Sequence, residues 1–115
     1  MTLAELVGLL ELDVITGRDH LDREIAGGYV SDLLSDVMGN APEGAVWVTL
    51  QTHENVVAVA LLRSLAAVLL IGGRRLQPEV AKKADEEKVV FLGSKRPAFN
   101  IVGEMYKAGI TGGLE

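Results

Sequence analysis

The sequence predicts a three-layer α/β domain, a mainly parallel sheet with helices on both faces. Three observations carry that expectation. From Ala45 onward, strand-like and helix-like periodicities alternate three times in succession. The helical stretches are long enough, at roughly a dozen residues per crossover, to return the chain to the same end of a sheet, so the strands they join run parallel. The run Ala67-Val68-Leu69-Leu70-Ile71 is apolar at every position, which marks a strand covered on both faces rather than one.

At the amino end, Thr2 is a good N-cap with Glu5 three residues on, and Leu3, Leu6, Val7 and Leu10 fall on one helical face. Leu12-Asp13-Val14-Ile15-Thr16 alternates apolar with polar residues, is rich in β-branched side chains and stops at Gly17, the pattern of a half-buried strand. Arg18-Asp19-His20 is a turn. Glu24 to Val30 reads as a second extended segment, in which Gly27-Gly28 marks a bulge or a close backbone approach. Ser31 is placed to cap a short helix carrying Leu33, Leu34, Val37 and Met38, with Asp32 near the positive end of its dipole. Gly39-Asn40 closes that helix and Pro42-Glu43-Gly44 is a loop.

The regular part follows as strand Val46–Leu50, helix Asn55–Leu65, strand Ala67–Ile71, helix Pro78–Glu87, strand Val89–Leu92 and helix Pro97–Ala108. Residues 1–110 make a single domain. Residues 111–115 read as a flexible tail ending in Leu114-Glu115, the remnant of a cloning site. The helix from Asn55 is apolar nearly all round, which requires burial on more than one side. A second copy of the chain is the expected cover, as a homodimer formed through Leu33, Leu34, Met38, Val57 and Leu61 and burying about 1,200–2,000 Å² in total. The alternative is that Leu3 to Val30 folds over that helix and leaves a monomer.

Composition narrows the classes. At 115 residues, 49% apolar and 23% charged, the chain supports one compact core. It has no cysteine, which excludes disulfide scaffolds, thiolate metal sites and cysteine nucleophiles and favours the cytoplasm. Sixteen acidic residues against 11 basic ones give a net charge of −5, which argues against nucleic acid or an anionic membrane as partner. The most apolar stretch, Val56 to Ile71, is broken by Arg63-Ser64 and falls short of the ~20 residues of a membrane span. No basic segment precedes an apolar run at the start, so no secretory signal is read.

In a parallel sheet, ligands collect where strand ends meet helix starts. Three loops lie there: Gln51-Thr52-His53-Glu54-Asn55, Gly72-Gly73-Arg74-Arg75 and Gly93-Ser94-Lys95-Arg96. Together they hold four of the 11 cations of an acidic chain, beside glycines expected to bare their amides and beside helix N-termini. The candidate ligand residues are Thr52, His53, Glu54, Asn55, Gly72, Gly73, Arg74, Ser94 and Lys95, forming a site for a small anion or nucleotide. The competing account is that such loops are polar and glycine-containing in any fold of this kind. Thr52 is placed to cap the following helix, and His53 and Glu54 are placed as acid, base or hydrogen-bond partners. Catalytic and metal signatures are missing from the sequence: it holds no P-loop, no G-x-S-x-G elbow, no G-x-G-x-x-G and no calcium loop, and His20 and His53 are too far apart for a helical metal pair. The sequence therefore reads as that of a non-enzyme needing no cofactor.

The segment Val46 to Arg74, from Val-Trp-Val-Thr-Leu-Gln-Thr-His-Glu-Asn to Leu-Leu-Ile-Gly-Gly, resembles the DRTGG domain, and the resemblance spans almost the whole chain. Gly72-Gly73 match the family's glycine pair, His53-Glu54 stand where Asp-Arg is usual, and Ile71 stands where threonine is usual. The resemblance implies a fold similar to the N-terminal domain of HPr kinase. It also implies a non-catalytic regulatory module, since members are attached to CBS and other domains. Small stand-alone members beside iron-only hydrogenase genes imply the alternative, a protein-interaction or assembly accessory factor.

Overall fold

The structure, a computed structural model, describes residues 1–113. Its elements are α1 (Leu3–Leu10), β1 (Asp13–Thr16), a 3-10 turn (Arg18–His20), β2 (Gly27–Val30), α2 (Leu34–Asn40), β3 (Ala45–Thr49), α3 (Asn55–Leu62), β4 (Ala67–Leu70), α4 (Pro78–Glu86), β5 (Phe91–Gly93) and α5 (Ala98–Lys107). The sheet order is β1-β5-β4-β3-β2. β2, β3, β4 and β5 are parallel neighbours, and β1 lies antiparallel against β5. This is the mainly parallel sheet the sequence predicts.

Side-chain alternation along the central strands divides the core into two layers. On one face, Val46, Val48, Leu69 and Leu92 meet Leu3, Leu6 and Leu10 of α1 and Ile101 and Met105 of α5. On the other, Trp47, Val68, Leu70 and Phe91 meet Val37 of α2, Val56, Val57, Val59 and Ala60 of α3, and Val80 and Ala84 of α4. Every residue of β3, β4 and β5 is buried, which explains why Thr49 is their only polar side chain.

Local signals are realised where the chemistry is local. Thr2 and Glu5 form a reciprocal capping box, Thr2 N donating to Glu5 Oε1 at 2.8 Å and Glu5 N to Thr2 Oγ1 at 3.2 Å. The Gly27-Gly28 pair does admit a close backbone. Gly28 N donates to the Thr111 carbonyl at 2.8 Å, and a Cβ on Gly27 would stand 3.1 Å from that oxygen. Thr111 of the carboxyl segment is thereby held along β2, while Leu114 and Glu115 lie outside the described residues.

Two expectations are corrected. The second helix begins at Leu34, with Leu33 rather than Ser31 at its N-cap. Ser31 Oγ instead accepts from Leu33 N at 3.1 Å in a local turn, and Asp32 turns away to β3. α3 lies between α2 and α4 over the sheet, which buries Val56, Val57, Val59 and Ala60 within the protomer and leaves Leu61 and Leu62 exposed. Val57 is 1% exposed, and Leu34 and Met38 pack against the same core. Of the expected dimer contacts only Leu33 and Leu61 stay exposed. Nor does the N-terminal segment drape over α3, since α1 covers the opposite face.

Candidate functional site

The topology creates one crevice. α4 leaves the carboxyl end of β4 toward the Trp47 face, and α5 leaves the neighbouring end of β5 toward the other face. Adjacent loops that depart in opposite directions open a gap between them, the place where open α/β sheets bind ligands. A cleft of about 440 Å³ lies there, with Arg74, Arg75 and Leu76 on the β4 side, Ser94 and Lys95 on the β5 side, and Asp13 and Ile15 from β1 beyond.

The β4 loop is shaped by Gly72 and Gly73, at φ of 64° and 73°. A side chain would find space at both positions, so it is the left-handed backbone of a tight turn that calls for glycine. The turn closes with Arg74 N donating to the Ile71 carbonyl at 3.3 Å. It swings the next two residues out, leaving Arg74 and Arg75 exposed at the cleft.

The expected bare amides are not presented to a ligand. Gly72 N donates to the Arg96 carbonyl and Gly73 N to the Ser94 carbonyl, both at 2.9 Å, while Ser94 N donates to the Leu70 carbonyl at 2.9 Å. Arg96 N is satisfied by Ser94 Oγ at 3.1 Å. The two loops are thus laced together through the groups expected to bind an anion. The charged groups left open at this cleft are the side chains of Arg74, Arg75 and Lys95, none of which is in an ion pair among the described residues.

The residues of the β3 loop do not join them. His53, rather than Thr52, caps α3, its Nδ1 accepting from Asn55 N at 3.0 Å, and Glu54 sits at the N-cap in helical conformation. The loop is fixed by Asp32, whose Oδ1 accepts from Thr49 Oγ1 and from Leu50 N, each at 2.8 Å. Gln51 Nε2 donates to the Asp32 carbonyl at 2.9 Å. So the cleft gathers Gly73, Arg74, Ser94 and Lys95 of the sequence candidates, whereas Thr52, His53, Glu54, Asn55 and Gly72 do not line it. It adds Arg75 and Gly93 from the same loops and Asp13, Ile15 and Leu76 from outside them. Asp13 and Ile15 were not legible as site residues, because only the pairing of the first strand with the last brings them there.

A larger cavity, about 510 Å³, opens at the opposite end of the sheet. Its arginine is structural: Arg23 donates to the carbonyls of Ala66 at 3.3 Å and Lys88 at 2.7 Å, tying together the entries to β4 and β5. Among the described residues no three His, Asp or Glu side chains are grouped to hold a metal ion, and no helix is long and apolar enough to cross a membrane.

No family model matches the chain, and no curated protein matches it. Among solved structures, it is similar to the CBS and DRTGG domains of the regulatory region of a Clostridium perfringens pyrophosphatase, solved in complex with the activator diadenosine tetraphosphate. The TM-score is 0.73 at 10% identity, over 90% of this chain and 45% of that one. The chain therefore spans less than half of that regulatory region, and the likeness is one of architecture: a DRTGG-like fold.

Proposed function

We propose that this domain is a non-catalytic, cytoplasmic regulatory or ligand-sensing module that takes a small anionic ligand, a nucleotide foremost, between the carboxyl ends of β4 and β5. One observation carries the reading: Arg74, Arg75 and Lys95 converge on a 440 Å³ cleft at the point where the sheet's connections diverge. Three like charges on one concave surface repel each other, and a bound anion relieves that repulsion. In a chain of net charge −5, such a cluster is the surface that attracts anions. The regulatory region that shares this fold is complexed with a dinucleoside polyphosphate, which puts nucleotides first among the ligands to try. Thermal-shift measurements with nucleotides and phosphorylated metabolites test the proposal. A ligand at 100 times its dissociation constant adds about 2.7 kcal/mol of stability, and Arg74→Ala should reduce the response. A broad panel without effect, or a full response in Arg74→Ala, refutes it.

A second reading, that of a protein-interaction or assembly module, is favoured by a different surface. On α5, Phe99 is 91% and Tyr106 is 66% exposed, and their seven-residue spacing puts them on one helical face. The partner tested first is a second copy of the chain, docked through this face in place of the α3 patch. An accessory role linked to iron-only hydrogenase comes from the family resemblance alone. Sedimentation equilibrium at micromolar concentration should show twice the 12.3 kDa protomer, reverting to the protomer in Phe99→Ser. A single protomer-sized species refutes self-association.

A further inference from the structure

We propose that the β4/β5 cleft is bipolar and that its ligand is a nucleoside phosphate whose ribose diol is held by Asp13. The inference rests on the anion site proposed above and deepens it.

The two poles come from different strands. Arg74 and Arg75 follow β4, whereas Asp13 begins β1, and β5 lies between the two strands. Two strand spacings put these walls about 10 Å apart, about the reach from the distal phosphate of a nucleoside 5′-diphosphate to the hydroxyls of its ribose. Asp13 is exposed and stands opposite Gly93 in the ladder. It shares the cleft with Lys95, yet no ion pair joins them. No hydrogen bond engages its carboxylate among the described residues, so its acceptor oxygens are open to a ligand. A site built for phosphate alone would gain nothing from a carboxylate at its rim, which weakens anion binding through like-charge repulsion. A ligand with hydroxyl donors at one end and phosphate at the other turns that charge into a strong acceptor.

The middle of the cleft fits the same ligand. Ile15 and Leu76 supply its apolar lining. Gly93 leaves room for Ile15 beside it, because a Cβ at Gly93 would stand 3.1 Å from Ile15 Cδ1. The volume of about 440 Å³ lies in the ~300–1,000 Å³ range of small-molecule sites, more than inorganic phosphate or pyrophosphate would fill.

Asp13→Asn separates this role from simple repulsion by the sign of its effect. Calorimetric titration of the wild-type chain and of Asp13→Asn is run with three probes: adenosine 5′-diphosphate, its 2′,3′-dideoxy counterpart and inorganic pyrophosphate. Trp47 fluorescence confirms that the variant is folded. In the wild type, the diol-bearing nucleotide should bind about ten- to a hundredfold tighter than the dideoxy compound, the worth of a hydrogen bond to a charged acceptor. Asp13→Asn should weaken the diol-bearing nucleotide and leave the other two equal or tighter. If all three tighten alike in Asp13→Asn, or if the wild type binds the two nucleotides equally, the diol assignment is overturned while the anion cleft stands. If the wild type binds none of the three, the anion cleft itself falls, and this inference with it.

Discussion

Replacing Thr16 by valine tests the account of how the first strand is attached to the last. Valine is nearly isosteric with threonine and favours strands, so local propensity predicts no loss or a small gain. The structure predicts the reverse. The β1/β5 ladder slips register between Val14 and Thr16, and at the slip the Thr16 hydroxyl stands in for backbone pairing. Its Oγ1 donates to the Val89 carbonyl at 2.8 Å and accepts from Phe91 N at 2.9 Å. Thr16 is 0% exposed, so water cannot replace either bond. Removing the oxygen orphans one buried carbonyl and one buried amide at about 1–3 kcal/mol each, roughly 2–6 kcal/mol together. Thr16→Ser is the control, because it keeps both bonds and loses one buried methyl, about 1 kcal/mol. Urea unfolding followed by Trp47, fully buried in the native state, measures both. Thr16→Val should be the less stable by a clear margin and should melt about 8–24 °C below wild type. Equal stability of the two variants would refute the argument that this hydroxyl completes the bulge.

Lys88→Gly should stabilise the chain by up to about 1 kcal/mol, because Lys88 follows α4 at φ 61°, a left-handed position where a Cβ is disfavoured. Its carbonyl, which Arg23 binds, is kept. A lower melting temperature in Lys88→Gly would contradict this. Acid should destabilise the protein through two carboxyls. Backbone and side-chain hydrogen bonds from Thr2 hold Glu5 below the ordinary glutamate range, and the Tyr29 hydroxyl, then Ser31, hold Asp36 below the ordinary aspartate range. Their contribution is complete above about pH 4–5 and is lost as pH falls through the lowered folded-state values. The same bond to Asp36 raises the Tyr29 phenol, so that contribution is complete below about pH 10 and is lost as pH rises further. Melting temperature against pH for wild type and Tyr29→Phe checks both limbs: the variant should lose less at each end, and superimposable profiles would refute the assignment.

The sequence was informative wherever a few neighbouring residues settle the structure. The capping box at Thr2 and Glu5 needs one turn of helix. The strands Ala45–Thr49 and Ala67–Leu70 announce their double burial in composition, and the segment between them, with its one helix, has the length of a parallel crossover. The glycine pair at Gly27-Gly28 announced a close backbone, although nothing local could say that the backbone would be that of Thr111. Structure set by partners far along the chain is not legible in this way. The apolar surface of α3 suggested a second molecule because the flanking positions of α2 and α4, which cover all of it but Leu61 and Leu62, follow only from the order of the strands. His53 caps α3 in preference to Thr52, a choice between adjacent side chains of similar reach that periodicity cannot make.

The candidate site shows the same division more sharply. Its charges are legible, since Arg74, Arg75 and Lys95 stand in loops that any parallel reading puts at one sheet edge. Their setting depends on two facts that are not legible. The first is the direction in which α5 leaves: had it packed on the Trp47 face with α4, the β4 and β5 loops would run side by side and no gap would open between them. The face α5 takes is set by Ile101 and Met105 packing in the layer of Leu3, Leu6 and Leu10, a contact nearly 100 residues apart in the chain. The second is the use of the loop amides. A glycine pair after a strand suggests amides free for an anion, but Gly72 N and Gly73 N are consumed by the Arg96 and Ser94 carbonyls. That lacing ties the two loops together and leaves side chains, not these amides, open at the cleft. The cleft thus presents a few long, exposed cations, and the antiparallel first strand, by adding Asp13, sets an opposing charge across from them.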